Sequence, residues 1–124
     1  MRRICIAASV AALAVGVVAI GAPGSLARAT KPKIAKVCDY YFTPTTLRIK
    51  KGSRVRWKWA TGCGVVQHDV KLTKAPSGVN KSKYRSPAAN SPYSFTRRFR
   101  KRGNYHFICT FHSDLMQMTV RVHR

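Results

Sequence analysis

The chain contains no glutamate and only three aspartates, Asp39, Asp69 and Asp114, against 24 lysines and arginines in 124 residues. So large a like charge, formally +21, works against compactness and selects anionic partners. Histidine is scarce as well: the four present, His68, His106, His112 and His123, are too few for a multicopper oxidase. Beyond residue 30 no stretch repeats apolar residues at helical spacing, which excludes a helical domain. There is no internal repeat and no nucleophile–base pair of known type, so the sequence offers no enzymatic machinery. The length is that of one domain.

The first 29 residues stand apart. Met1-Arg2-Arg3 is a short basic start, Ile4 to Ile20 is apolar except for Ser9, and Gly21, Pro23 and Gly24 precede Ala27-Arg28-Ala29. That order is a signal peptide with a small-residue cleavage site, expected to be cut after Ala29. As a helix the apolar run reaches about 26 Å, the short end for an uncleaved anchor. The protein is therefore expected to be exported, to the periplasm or the cell exterior. The mature chain of 95 residues keeps 21 basic and three acidic residues, a formal charge of +18.

From Thr30 to Lys36 the chain reads as a loose basic arm, and from Val37 to Arg124 as a single folded domain. Within that domain, short alternating runs lie between turn residues. Strands are expected over Val37–Phe42, Leu47–Ile49, Val55–Trp59, Val65–Leu72, Tyr93–Phe99, Tyr105–Cys109 and Met116–Val122. Val55, Trp57 and Trp59 share one face of theirs, and Met116, Met118, Val120 and Val122 share one face of the last. Thr73 to Ser91 reads as a long loop or a loop with one poor strand. Seven or eight short strands in about 90 residues indicate an all-β, antiparallel β-sandwich.

The residues that carry chemistry are concentrated in Cys109-Thr110-Phe111-His112-Ser113-Asp114-Leu115-Met116. The segment offers a thiolate, an imidazole three residues later and a thioether four after that. Thiolate and thioether suit Cu(I), and imidazole suits both copper oxidation states. A second imidazole has to come from elsewhere, and His68, in an expected strand among inward-facing valines, is the natural donor. Two histidines, one cysteine and a weak axial methionine describe a blue-copper electron-transfer site. Both Met116 and Met118 fall on the inner face by alternation; Met116 is favoured as the axial donor by its shorter reach from the Cys-His loop.

Gly103-Asn104-Tyr105-His106-Phe107-Ile108-Cys109-Thr110-Phe111-His112, ending in Met116, resembles the copper loop of the small cupredoxins of the plastocyanin, pseudoazurin, amicyanin and azurin type. His68-Asp69-Val70 resembles their His-Asn-Val segment, and Phe42 to Gly52 followed by Val55-Arg56-Trp57 resembles their early strands. The resemblance spans nearly all of the mature chain. It implies a Greek-key sandwich that holds one type 1 copper near the surface at one end. It also implies that His112 is the ligand nearest solvent and the electron port, with Phe111 and Leu115 in an apolar docking collar around it. Asp69 stands where asparagine ties the two ligand loops together, which puts Asp69 and Thr110 beside the ligands. Met118 replaces a common glycine, and Arg102 a common proline.

Three cysteines remain in the mature chain. Cys38 and Cys63 are the expected disulfide pair, joining the first strand to the loop before His68; the alternative makes Cys63, five residues before His68, a metal ligand. His106 is out of phase with Tyr105 and Cys109 and reads as a rim residue, and His123 belongs to the tail. Trp57 and Trp59 read as core. The functional expectation is a monomeric one-electron carrier, with a copper storage or delivery protein and a basic module for anionic surfaces as alternatives. Its partner is expected to be an acidic redox protein or an anionic membrane or cell-wall surface. Export and the lack of a nucleic-acid-binding motif argue against nucleic acid.

Overall fold

A computed structural model describes residues 29–124 together with Gly16 and Gly21. The leader expected over residues 1–29 therefore lies almost wholly outside the described residues. Eight strands follow in chain order: β1 (Lys33–Cys38), β2 (Tyr41–Thr43), β3 (Thr46–Lys50), β4 (Arg54–Trp59), β5 (Lys71–Lys74), β6 (Tyr93–Arg98), β7 (Gly103–Ile108) and β8 (Gln117–His123). They form two four-stranded sheets, ordered β2-β1-β4-β6 and β3-β8-β7-β5. The inward faces meet in one apolar core, as a sandwich requires.

Strict alternation decides which side chains enter that core. In β4, Val55, Trp57 and Trp59 are buried while Arg56 and Lys58 face solvent. In β8, Met118, Val120 and Val122 point inward. Trp57 sits at the centre, its ring 4.7 Å from that of Phe107 and 5.8 Å from that of Phe95, between centroids. A 3-10 turn at Lys81–Tyr84 carries Tyr84 back over the edge of the core, where its ring lies 5.3 Å from Phe99 and its hydroxyl donates to the Arg98 carbonyl at 2.8 Å. This turn occupies part of the long loop expected over 73–91. It is started by Asn80, whose side chain accepts from the Ser82 amide at 3.1 Å, the local competition that lets asparagine open such turns.

Three expected segments and the strand directions differ from the sequence expectation, each decided by which strands pair. The arm expected over 30–36 lies outside the strands only at its start, where the Thr30 carbonyl accepts from Arg54 at 3.0 Å. Lys33 to Lys36 belong to β1, because β1 pairs in parallel with β4 from Lys33 opposite Val55 onward and buries Ala35 and Val37. The single strand expected over Val37–Phe42 is instead a hairpin that reverses at Asp39-Tyr40. The strand expected over Val65–Leu72 forms a ladder only from Lys71. Before it the chain is a glycine-containing loop, and His68 is held by a single bridge to Ala89, with paired backbone bonds of 2.9 and 3.0 Å. Finally, the sandwich is not antiparallel throughout. β1 pairs with β4 and β3 with β8 in parallel, because the chain switches sheets at Thr43-Pro44-Thr45 and leaves β1 to find its next neighbour from a later strand.

Candidate metal centre

Cys109 follows the last residue of β7, and Gln117 opens β8. The eight residues from Cys109 to Met116 are thus the connection between two hydrogen-bonded neighbours, and their shape is set from both ends. The Cys109 amide donates to the Met116 carbonyl at 3.1 Å. The His112 carbonyl accepts from the amides of Leu115, at 3.1 Å, and Met116, at 2.8 Å, and the His112 amide donates back to Cys109 at 3.3 Å. Two tight turns therefore close the loop, returning Met116 to the inner face and lifting Phe111, His112 and Leu115 towards solvent.

His68 comes from the segment that leads into β5, the neighbour of β7 in the same sheet. The ligand atoms of His68, Cys109 and His112 all lie within 4.8 Å of one another. Both imidazoles present Nδ1 to the sulfur, at 3.7 Å from His68 and 3.8 Å from His112. Cys109 and His68 are buried, and His112 is half-buried. Met116 is fully buried beneath the loop. Met118 is buried too, but its sulfur accepts the Trp57 indole N–H at 3.1 Å and so already has a partner in the core.

Burial pushes the Cys109 thiol up from its ordinary pKa, outweighing the hydrogen bonds that favour the thiolate. The amides of Asp69, Phe111 and His112 favour the sulfur anion but do not offset its loss of water. The donor set therefore fits a cation that takes the place of the thiol proton, and a thiolate with two imidazoles in an apolar pocket fits copper.

The two ligand segments are tied together by Asp69 and Thr110. The buried Asp69 carboxylate accepts from the Thr110 amide through Oδ1 and from the Thr110 hydroxyl through Oδ2, both at 2.6 Å. A carboxylate can only accept, so here the Thr110 amide and hydroxyl both donate to it.

Cys38 and Cys63 form a disulfide with their Cα atoms 4.8 Å apart. This removes Cys63 as a ligand. His106 lies out on β7, with Nδ1 3.4 Å from the Thr119 hydroxyl, and His123 is in the tail of β8; neither joins the cluster. Phe111 and Leu115 are exposed beside His112 in the chain, and Tyr40, Tyr41 and Val65 are exposed as well.

Two neighbours of the histidines carry no sign of a role in the sequence. Tyr40 sets its ring edge-on to His112, 4.9 Å between centroids, and also reaches His68 at 6.4 Å. Asp39 places Oδ1 2.9 Å from Nε2 of His68. The Val65 amide holds the Asp39 carboxyl below its ordinary pKa, helped by the bonds from His68 and the Val66 amide, so the group is a carboxylate at neutral pH. The only local hint was a turn-forming aspartate within an apolar run.

Comparison with known proteins agrees with this geometry. Residues 31–123 match the family described as copper binding proteins, plastocyanin/azurin family. Amicyanin-alpha of Methylorubrum extorquens is 34% identical over 117 residues, covering 90% of this chain and 92% of that protein. Among solved structures, a purple cupredoxin from Nitrosopumilus maritimus superposes with a TM-score of 0.62 at 22% identity, covering 73% of this chain and 99% of that one. The reduced Cu(I) form of an amicyanin variant superposes with a TM-score of 0.62 at 18% identity, covering 77% and 85%. The match runs from the first strand to the last and takes in every residue of the three-donor cluster, so this chain belongs to the plastocyanin/azurin family of copper-binding proteins and is a small cupredoxin for one type 1 copper.

Proposed function

We propose that the protein is an exported, monomeric one-electron carrier whose copper is held by Nδ1 of His68, Sγ of Cys109 and Nδ1 of His112, with the Met116 thioether as a weak fourth donor. The observation that carries this reading is the convergence of one sulfur and two ring nitrogens within 4.8 Å at one end of a rigid sandwich. Bound there, copper supplies a one-electron couple between its two common oxidation states.

The chain's own residues do the rest. Loop bonds from Cys109, His112, Leu115 and Met116 and the Asp69–Thr110 tie hold the donors in one arrangement, so little has to move when the charge at the site changes. The thioether of Met118 is engaged by Trp57, which supports Met116 as the fourth donor. His112 reaches the surface among Phe111, Leu115 and Tyr40, a small apolar collar where a partner can approach the site. The excess of basic residues speeds encounter with an acidic redox protein or an anionic envelope surface.

The test is to load the mature protein with Cu(II) and record its visible spectrum and voltammetry. An intense thiolate-to-copper absorption, abolished in Cys109→Ser, and a reversible wave without loss of metal are expected. A colourless protein whose Cys109 is alkylated as readily with copper as without it would end the proposal, and rapid surrender of copper to a chelator would mark a delivery protein instead. Export is tested by sequencing the protein recovered outside the cytoplasm, which should begin at Thr30.

A further inference from the structure

We infer that Asp39 is a positioning residue for the copper site: its carboxylate keeps the proton of His68 on Nε2 and so leaves Nδ1 as a free donor facing Cys109. The inference rests on His68 being a ligand, as proposed above.

The argument is one of hydrogen-bond roles. A carboxylate accepts and cannot donate. With Oδ1 at 2.9 Å from Nε2, that nitrogen must carry the hydrogen. A neutral imidazole has one N–H, so the lone pair is left on Nδ1, the nitrogen 3.7 Å from Cys109 Sγ. Without Asp39 the ring can carry its proton on either nitrogen, and a proton on Nδ1 would oppose metal binding.

Asp39 is itself held from several directions. Its carboxylate accepts the amides of Val65, at 2.9 Å, and Val66, at 3.0 Å. Its own amide donates to the Cys63 carbonyl at 3.0 Å, and the preceding residue, Cys38, is bonded to Cys63. Gly64 completes the fit, because a Cβ there would overlap the Asp39 carboxylate. The disulfide thus pins the loop 63–66 against the turn, and the loop's amides aim the carboxylate at His68.

The next residue points the same way. Tyr40 has φ of 68°, a conformation that costs a residue with a bulky side chain free energy and persists only where its surroundings impose it. What it achieves is the edge-on contact with His112. One two-residue turn therefore touches both imidazoles.

The experiment reads the His68 tautomer from long-range 1H–15N imidazole correlations in the metal-free protein, and copper affinity by competition with a chelator. In the wild type His68 should be the Nε2–H tautomer. In Asp39→Ala the two tautomers should mix and copper should bind about 10–100-fold more weakly, the usual effect of losing an outer partner of a ligating histidine. Asp39→Asn should recover most of both, because its amide oxygen can still accept from Nε2. An Nδ1–H tautomer in the wild type would overturn the inference, and this measurement stands even if Asp39→Ala does not fold. So would an Asp39→Ala protein that keeps the Nε2–H tautomer and binds copper within about twofold of the wild type. A wild type with the expected tautomer that takes up no copper would defeat the proposed function and leave the tautomer assignment intact.

Discussion

Replacing Cys38 and Cys63 together by alanine tests how far this small domain depends on one cross-link. The two residues are separated by 25 positions. In the chain-entropy model, closing a loop of about that length removes roughly 12 cal/mol/K from the unfolded chain, or about 3.5 kcal/mol at 25 °C. Lost packing around the buried Cys38 acts in the same direction. A domain of this size has about 5–15 kcal/mol in all, so the variant should fold with little margin. The assay is urea unfolding of the metal-free protein, since copper bound to the native state would add its own stabilisation. With a slope of about 1–3 kcal/mol/M, the midpoint should fall by roughly 1–3 M, and the melting temperature by about 15–25 °C. A loss below about 1 kcal/mol would refute the reasoning: the loop 63–66 would then be held by its hydrogen bonds to Asp39, with the disulfide redundant.

Other expectations follow from single contacts. Met116→Leu should change the visible spectrum and the reduction potential of the copper protein. Met118→Leu should leave both nearly unchanged but destabilise the fold by about 1–3 kcal/mol, because the Trp57 N–H loses its acceptor; spectra and urea titrations of the pair decide between the two methionines. Thr110→Val deprives the buried Asp69 carboxylate of its hydroxyl donor and should cost about 1–3 kcal/mol in the same titration. The Cys109 thiol has its pKa raised by burial in the folded protein, so above the ordinary thiol pKa the unfolded chain binds fewer protons than the native one. Metal-free stability should therefore fall as pH rises into the alkaline range, and Cys109 alkylation should be slow at neutral pH and accelerate there. Stability that rose with pH would contradict the assigned burial. Electron exchange with an acidic partner should slow steeply with added salt; a rate independent of salt would remove the steering role of the basic surface.

The sequence alone determined what depends on near neighbours. Cys109, His112 and Met116 lie within eight residues, and their chemistry limits the metal wherever that loop ends up. The alternation in β4 and β8 assigned Trp57, Trp59, Val120 and Val122 to the core, because a strand has only two faces. Tertiary structure decided what depends on residues meeting from afar. Alternation put Met116 and Met118 on the same face with only reach from the Cys-His loop to favour Met116, and the Trp57 indole then takes up the Met118 sulfur. Spacing left Cys63 open between disulfide and ligand until Cys38 was brought beside it. Asp39 lies 29 residues before His68, in no ligand pattern, and Tyr40 reverses the chain without the glycine or asparagine that would mark a turn. Periodicity records which way a side chain points; it holds no information about what arrives opposite it, and at this site the arriving groups orient the ligands.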